Sequence, residues 1–391
     1  MSWLFKVKFM EKKTAVVVIP TYNEAETIGK MIDYLFTKTF PTAENWHCKL
    51  LIVDDTSPDG TWKIVQEKQK KYKDLYLLLN TEKVGIGGAY VKGFKYAMAK
   101  LAADVLIEFD ADFQHPPETI PVMLNEIDQG ADYVLGSRKI KGGSNPKGWG
   151  FKRLFFSEVG GLTARVMLFF PFKNFFKITD PTTGLKASRV KGFVEKMDMD
   201  HLYSKSFFYK LQFLHQMVTL GAKVKEIPLK FGIRERGESK IEARAMIDAL
   251  KIAFLVRWHD KFTQKFLKFG TVGFVGYLVN ASTLWFFSKV GFVEWFSWLF
   301  STELAIISNF TWNNLWTFRT QKFTKTTDII KKFAQFNFTS IGALLIQTIV
   351  GTILTTVFGA QYRQLILPFV IVFMVLPYNW LMYNKVIWKK K

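Results

Sequence analysis

Two carboxylates stand two residues apart in the stretch VLIEFDADFQHPPE, which covers residues 105–118. Asp110 and Asp112 come directly after an apolar run that is typical of a buried strand, and Gln114 and His115 follow them. Oxygen ligands of this kind suit Mg²⁺ or Mn²⁺, which proteins bind through one or two carboxylates plus substrate phosphates. The alternative is a solvated acidic turn without a ligand. The spacing favours a divalent-cation site.

A second polar motif, IVDDTSPDG at residues 52–60, also follows an apolar run. Asp54 and Asp55 stand before a Ser-Pro-Asp-Gly sequence that favours a turn. One of these acids could accept hydrogen bonds from a nucleotide base or ribose. A turn with a cap for the helix expected at Thr61 explains them equally well.

The glycine-rich stretch GIGGAYVKGF, residues 85–94, is expected to be a turn that opens a helix. Glycines at such a turn allow the backbone to approach a ligand closely. The stretch matches neither the P-loop nor the dinucleotide fingerprint, so it is only a weak indication of a phosphate site.

The first 240 or so residues alternate apolar runs with amphipathic segments of helical period. Continuous runs such as TAVVVIP (14–20) and CKLLIVDD (48–55) predict strands buried on both faces, hence a mostly parallel sheet covered by helices. In such Rossmann-like α/β sheets, ligands bind outside the carboxyl ends of the strands. The motifs PTYNE, DDTSPDG, DADFQ and GSR all follow predicted strands, so we expect them to meet at one edge of the sheet.

Charge and hydropathy divide the chain into two parts. The net charge is +21, but residues 263–391 contain 13 Lys/Arg and only 3 Asp/Glu. With 391 residues, this asymmetry predicts at least two domains. The single cysteine, Cys48, excludes an intrachain disulfide framework. The N-terminal sequence MSWLFKVKFMEKK has no apolar core long enough for a signal peptide, so we expect the first domain to stay in the cytoplasm.

The last 129 residues contain apolar segments long enough to cross a hydrocarbon core of about 30 Å. We expect four membrane spans, near residues 266–289, 295–318, 333–358 and 365–388. The connection after the second span carries five Lys/Arg, whereas the first and third carry only Lys289 and Arg363. Positive loops stay in the cytoplasm, so both ends of this region should be cytoplasmic. The alternative, core helices of a large soluble protein, does not explain the loop asymmetry.

Two segments mix aromatic residues with basic ones. They cover residues 149–178 and residues 241–262, the latter just before the first predicted span. A basic, aromatic amphipathic helix can lie in the interface of a bilayer, and we predict that both segments do so. Ordinary packing of amphipathic helices on the sheet is the alternative, and it is expected for part of each helix.

The order of the motifs VVIPTYNE, IVDDTSPDGT, GIGGAY, FDADFQHPPE, GSR, DPTTGLKAS and RERGESKI resembles that of the polyprenyl-phosphate (dolichol-phosphate) mannose synthases of glycosyltransferase family 2. The resemblance covers residues 14–245. The four-span tail resembles the GtrA-like membrane domain that is fused to some of these synthases. The sequence has Thr56 where many relatives carry Asn, and DPTTGLKAS where Ser-Gly-Phe is commoner.

This resemblance implies a GT-A fold for residues 1–240, a juxtamembrane helix at 241–262 and a four-helix transmembrane domain at 263–391. Together with the loop charges and the N-terminal sequence, it predicts an integral membrane protein whose catalytic domain and termini are cytoplasmic. The implied reaction is inverting transfer of mannose from GDP-mannose to a polyprenyl or dolichyl phosphate, with Mg²⁺ or Mn²⁺ as cofactor. Its implied partners are nucleotide sugar, lipid phosphate and the bilayer, and no nucleic acid. Two alternatives remain open: a hexose synthase that uses a UDP-sugar such as UDP-glucose, and a lipid-sugar flippase with a regulatory glycosyltransferase-like domain.

The resemblance also assigns roles to individual residues. It implies that nucleotide sugar is bound by Pro20, Tyr22, Glu24, Val53, Asp55, Asp110, Ala111, Asp112, Gln114, Arg138, Arg234 and Lys240. The implied ligands of the metal are Asp110, Asp112 and Gln114, and those of the lipid phosphate are Arg138, Arg153 and Ser157. The residues expected to be catalytic are Asp112, Asp180, Arg234 and Lys240.

Two expectations concern the reaction itself. The basic stretch FGIRERGESKI, residues 231–241, could close over the donor diphosphate and exclude water; a solvated surface loop is the alternative. A lipid phosphate with a second pKa of about 6, by analogy with phosphoserine, is largely a dianion at neutral pH. It can attack without losing a proton, so we expect no obligatory general base. Asp180 should orient a donor hydroxyl or the arginines that hold the phosphate.

Overall fold

The computed structural model describes residues 12–146, 148–232 and 243–389. The chain forms two compact units, Met1–Arg257 and Trp258–Lys391. The division falls inside the segment 241–262 that was predicted to be a juxtamembrane helix.

The first unit is built on one sheet of seven strands in the order β3-β2-β1-β4-β6-β5-β7. Strand β6 is antiparallel to both of its neighbours, and every other pair is parallel. This confirms the prediction of a mostly parallel sheet. The strands are β1 Lys13–Thr21, β2 Trp46–Asp54, β3 Leu75–Leu79, β4 Val105–Glu108, β5 Tyr133–Ser137, β6 Lys186–Arg189 and β7 Val224–Pro228.

Helices cover both faces of this sheet, because the central strands are apolar on both sides. The helices are α1 Ala25–Tyr34, α2 Thr61–Gln69, α3 Gly85–Lys100, α4 Thr119–Asp128, α5 Phe151–Phe169, α6 Asn174–Lys177, α7 Tyr209–Thr219 and α8 Ala243–His259. One core lies between the sheet and α1, α2 and α4, and the other between the sheet and α3, α5, α7 and α8. Helix α3 lies so close to β1 and β2 that a Cβ at Gly93 would come within 2.7 Å of Val18.

Helices α5 and α8 each have two apolar faces. The inner face of α8 packs in the core through Ile252 and Val256, and α5 contributes Leu168 in the same way. Their other faces expose large apolar side chains, including Phe151, which is 84 % exposed, and Phe254. Ordinary packing therefore explains one face of each helix, and the interfacial placement of the other face stays a prediction.

The second unit is entirely helical in its described part. Its helices are α9 Lys261–Val290, α10 Glu294–Trp312, α11 Thr326–Phe358, α12 Arg363–Val370 and α13 Leu376–Met382. One turn of π-helix joins α12 to α13, and another follows α13. Within the described range, Thr326–Phe358 and Leu365–Ile387 are long and apolar enough to cross a membrane. The structure thus identifies two of the four predicted spans by length and composition, and α9 and α10 occupy the positions of the other two.

Candidate active site

Three of the loops that leave the carboxyl ends of the strands contain a residue with left-handed backbone. These residues are Asn23 after β1 (φ 60°), Thr56 after β2 (φ 52°) and Phe113 after β4 (φ 59°). Such conformations are unfavourable for residues other than glycine, and they occur often at functional sites. All three are on the edge of the sheet where the polar motifs were expected to meet.

The two acids after β2 have separate structural partners. Asp54 is fully buried and accepts hydrogen bonds of 2.7 Å from the hydroxyl of Thr21 and from the backbone N–H and hydroxyl of Ser57. The N–H of Thr61 at the start of α2 is satisfied by Asp59 instead. Asp54 therefore fixes the turn, and neither Asp54 nor Asp55 caps this helix.

Asp55 connects β2 to the glycine-rich turn. Its Oδ1 accepts a 2.7 Å hydrogen bond from Asn80 Nδ2, and its Oδ2 accepts bonds from the N–H groups of Val84 and Gly85. A Cβ at Gly87 would come within 2.9 Å of the backbone of Lys205 and Ser206, so this glycine serves contact with the chain itself. The nucleoside contact predicted for Asp55 stays a prediction.

The other residues assigned to the nucleotide differ in accessibility. Val53 is fully buried between β1 and β3, so neither its side chain nor its backbone is accessible to a ligand in this structure. The ring of Tyr22 is exposed, with Lys83 Nζ 3.6 Å from its centre. Pro20 precedes them at the end of β1. The Glu24 carboxylate accepts a 3.1 Å bond from the hydroxyl of Thr27 at the start of α1.

The loop after β4 brings Asp110 next to a buried histidine. Asp110 Oδ1 accepts a 3.3 Å bond from the hydroxyl of Tyr90, and Oδ2 lies 3.4 Å from His115 Nδ1. The His115 contact is not a well-aligned hydrogen bond. Burial lowers the pKa of His115, although Asp110 raises it, so the neutral form of the imidazole is favoured. A Cβ at Gly184 would lie 2.8 Å from this ring, so only glycine fits there.

Asp112 and Gln114 are buried in the same loop, as is Ala111 between the two acids. Asp112 Oδ1 accepts a 3.1 Å bond from the N–H of Gln114, and Gln114 Nε2 donates to the carbonyl of Gly232 at 3.2 Å. The donor side of this amide is therefore used within the chain, and its oxygen is the atom that suits a cation.

The donor set fits a divalent cation that is completed by a substrate. Among the described residues no group of three or more His, Cys, Asp or Glu side chains could hold a metal by itself. Two carboxylates and an amide oxygen are the incomplete set that Mg²⁺ or Mn²⁺ uses when phosphate oxygens supply further ligands. The residues present therefore fit a metal–diphosphate site and do not form a closed metal cage.

Arg138 and Asp180 form a buried ion pair across 42 residues of sequence. The bonds from Nε to Oδ2 and from Nη2 to Oδ1 are both 2.7 Å long, and the backbone N–H of Arg138 also donates to Oδ2. Burial raises the pKa of Asp180, but the Arg138 guanidinium outweighs it and the pKa is lowered overall. Glu226 accepts bonds from the N–H groups of Thr179 and Asp180, which fixes the loop that carries this carboxylate.

Trp149 lies between the two arginines assigned to the lipid phosphate. The guanidinium of Arg153 is 4.1 Å from the centre of the indole ring, and that of Arg138 is 6.0 Å from it. Ser157 is half-buried on the same helix as Arg153. The predicted residues Arg234 and Lys240 lie outside the described part of the chain.

Several residues of this site were missed by the sequence reasoning. His115 stands in the quoted motif but received no role, and Tyr90 lies in the glycine-rich stretch. Lys210, on α7, and Glu108, at the end of β4, are charged residues within apolar surroundings, and both are fully buried. That context is the only signal that could have identified them.

Comparison with known proteins places this site in a family. Residues 16–202 match the model of glycosyl transferase family 2, and residues 268–388 match that of the GtrA/DPMS transmembrane domain. The chain belongs to glycosyltransferase family 2 and is a membrane protein that carries a GtrA/DPMS domain.

The relatives that it matches have related names. The dolichol-phosphate mannosyltransferase of Pyrococcus furiosus is 33 % identical over 86 % of this chain and 90 % of its own length. The undecaprenyl-phosphate mannosyltransferase of Micrococcus luteus is 33 % identical over 62 % of this chain and 95 % of its own.

Among solved structures, the glucosyl-3-phosphoglycerate synthase of Mycobacterium tuberculosis with Mn²⁺ and UDP is 17 % identical. The match covers 63 % of this chain and 79 % of the synthase, with a TM-score of 0.44. A mannosyltransferase from Pyrobaculum calidifontis in complex with GDP-Man and Mn²⁺ is 15 % identical, covers 78 % and 88 %, and has a TM-score of 0.40. Because the identity and the TM-scores are low, the ligands in these two structures are not assigned to this chain.

Proposed function

We propose that this protein transfers mannose, with inversion, from GDP-mannose to a polyprenyl phosphate and so produces a lipid-linked sugar. The family supports glycosyl transfer, and the names of the relatives support the lipid phosphate as acceptor. The observation that carries the proposal is the loop 180–184. At one end Asp180 binds Arg138, and at the other Gly184 lies against His115 and Asp110.

This loop contacts both Asp110, which we assign to the donor site, and Arg138, which we assign to the acceptor site. A cation held by Asp110, Asp112 and the Gln114 amide oxygen would neutralise charge on the leaving diphosphate. Arg153 suits the acceptor, because a guanidinium can bind a phosphate through two parallel hydrogen bonds. Arg138, whose Nε and Nη2 bind Asp180, could bind the same phosphate through Nη1. Acceptor and donor would then meet with their negative charges separately compensated.

The reaction needs no proton transfer to the enzyme. An oxygen of the lipid phosphate dianion attacks the anomeric carbon, the bond to the diphosphate breaks, and the nucleoside diphosphate leaves. Asp180 is ionised and paired with Arg138, which makes it a positioning group for the arginine and a poor base. Pro20, Tyr22, Glu24 and Asp55 would hold the nucleoside, and Arg234 and Lys240 would bind the donor phosphates.

The second unit is proposed to be a domain of four spans, with both ends and the catalytic unit in the cytoplasm. Support comes from the two apolar helices, the GtrA/DPMS match over 268–388, and the helices α9 and α10 before them. The connection between the second and third spans carries Arg319, Lys322, Lys325, Lys331 and Lys332, which favours the cytoplasmic side.

A donor comparison tests the function. The purified protein is incubated with polyprenyl phosphate and labelled GDP-mannose, UDP-glucose or UDP-N-acetylglucosamine, and the label in the lipid extract is measured. We expect lipid-linked label from GDP-mannose alone, and none with the Asp112→Ala variant. Label from UDP-glucose in place of GDP-mannose would contradict the donor assignment, and no lipid-linked label from any donor would contradict the function.

A further inference from the structure

A lysine that the reaction does not use lies fully buried beside the site. Lys210 Nζ, on α7, donates a 2.9 Å hydrogen bond to the carbonyl of Gly184 and lies 3.4 Å from Glu108 Oε2. Glu108 Oε2 also accepts a 2.5 Å bond from the hydroxyl of Tyr209. Within the described residues, Oε1 of Glu108 has no hydrogen-bond partner.

Burying these charged groups is less favourable than filling the same space with apolar side chains. Removing an ammonium group and a carboxylate from water is unfavourable, and replacing a buried pair by apolar side chains is often neutral or stabilising. Here the carboxylate of Glu108 is also left with an unsatisfied oxygen. Stability alone therefore does not account for a lysine at position 210, and its contacts point to another role.

Two chains of contacts lead from Lys210 to Asp110, one to each oxygen of its carboxylate. In one direction Lys210 binds the Gly184 carbonyl, Gly184 packs against His115, and His115 lies 3.4 Å from Asp110 Oδ2. In the other direction the ammonium lies 4.9 Å from the centre of the Tyr90 ring. The hydroxyl of Tyr90 donates to the Phe109 carbonyl at 2.9 Å and to Asp110 Oδ1 at 3.3 Å.

We propose that Lys210 is a positioning residue for the Asp110 carboxylate. Lys210 fixes Gly184 and the Tyr90 ring; Gly184 packs against His115 next to Asp110 Oδ2, and the hydroxyl of Tyr90 binds Asp110 Oδ1. This proposal rests on the proposed function only in taking Asp110 as a metal ligand. The outer-shell partners of a metal ligand orient it, and their loss commonly weakens metal binding by about 10–100-fold. Lys210 therefore acts on the affinity for the cation without touching it.

The test measures metal binding directly. The full chain in detergent is titrated with Mn²⁺ in the presence of GDP, and the EPR signal of unbound Mn²⁺ gives the Kd. Lys210→Met should weaken Mn²⁺ binding by about tenfold. Lys210→Gln keeps an N–H for the Gly184 carbonyl but lacks the ammonium over Tyr90, so its Kd should lie between those of Lys210→Met and the wild type.

Arg189 supplies the matched control. Its guanidinium also binds backbone carbonyls, those of Ile127 and Ala131, at the opposite end of β6. Arg189→Met should lower the thermal midpoint and leave the Kd for Mn²⁺ unchanged. Equal weakening in Lys210→Met and Arg189→Met would show a general loss of structure and would overturn the proposal.

A wild-type Kd in Lys210→Met would also overturn it. If Lys210→Met does not fold, Lys210→Gln decides: weaker binding than wild type supports the proposal and a wild-type Kd refutes it. The assay contains no lipid phosphate and no GDP-mannose, so its outcome is independent of the transfer reaction. If the protein produces lipid-linked mannose but the Kd for Mn²⁺ is the same in the wild type and the Lys210 variants, this inference is refuted and the proposed function stands.

Discussion

Arg138 binds Asp180 through two parallel hydrogen bonds of 2.7 Å in a site where both side chains are at most 10 % exposed. The pair joins the loop after β5 to the loop before β6, which are 42 residues apart in sequence. A buried carboxylate that is held in this way controls where the guanidinium points. In the proposed reaction Asp180 therefore positions Arg138 and is not a base.

Asp180→Asn should reduce both the stability of the fold and the binding of the lipid phosphate. The change leaves the Arg138 charge buried without its carboxylate, and breaking such a pair costs about 3–5 kcal/mol. We expect a lower thermal midpoint and a raised KM for the lipid phosphate, since the guanidinium loses its fixed direction. The control is Asp198→Asn, which removes a carboxylate from an exposed contact with His201 and should change neither value.

The acid limb of the pH–rate profile should belong to the acceptor. The pKa of Asp180 is lowered below its ordinary value of 3.8, so its ion pair is fully formed above that pH and is lost only as the pH falls through the lower, folded-state pKa. Replacing the lipid phosphate by a phosphonate of different second pKa should therefore shift the limb. A limb that stays fixed with both acceptors, and moves only in Asp180 variants, would reveal an enzymic base.

Chelation should abolish transfer, and Mg²⁺ or Mn²⁺ should restore it. Asp112→Ala should lose activity because it removes one of two carboxylates from the cation site, while the fold persists because little apolar area is lost. Turnover and the thermal midpoint are measured with and without chelator. Full activity of Asp112→Ala in the presence of chelator would refute the metal assignment.

Gly184→Ala should inactivate the protein. The new Cβ would lie 2.8 Å from Cε1 of the fully buried His115 and 3.5 Å from Asp110 Oδ2, so the loop 180–184 has to move. Gly29→Ala is the matched control, since its Cβ would make an ordinary contact of 3.4 Å with Ile64. Comparable activity of the two variants would show that the loop is not held against His115.

Lys186 should give the protein a characteristic stability profile at high pH. Burial lowers its pKa to about 8, against a partly opposing effect of Glu108, while the ordinary value is 10.5. Between these values the unfolded chain binds more protons than the folded one, so stability rises with pH. The thermal midpoint of the wild type, relative to that of Lys186→Met, should increase between about pH 8 and pH 10.5. A difference that does not change with pH would contradict the shift.

The sequence predicted what depends on local pattern. Apolar runs followed by acids predicted that Asp55 and Asp110 lie at strand ends. The prediction of a mostly parallel sheet is confirmed, with β6 as the exception. What could not be predicted depends on pairing across the sheet. The register that sets Glu108 opposite Lys186 is antiparallel, and Lys210 reaches Gly184 from a helix that follows in the chain. No periodicity encodes such contacts.

The glycine-rich stretch shows the same limit. Its glycines suggested a ligand, but Gly93 and Gly87 serve close contacts with β1 and with the loop before α7. A glycine marks a close approach, and only the fold says which group approaches.

The configuration of the lipid product tests whether mannose is transferred to the lipid phosphate with inversion. Wild-type protein is supplied with GDP-mannose, in which the mannose is α-linked, and with polyprenyl phosphate, and the product is analysed by ¹H and ³¹P NMR. A single attack by the lipid phosphate on the anomeric carbon predicts a β-linked mannosyl phosphodiester, absent from reactions with Asp112→Ala. An α-linked product, or mannose that is not bonded to the lipid phosphate, would contradict inverting transfer to the lipid phosphate.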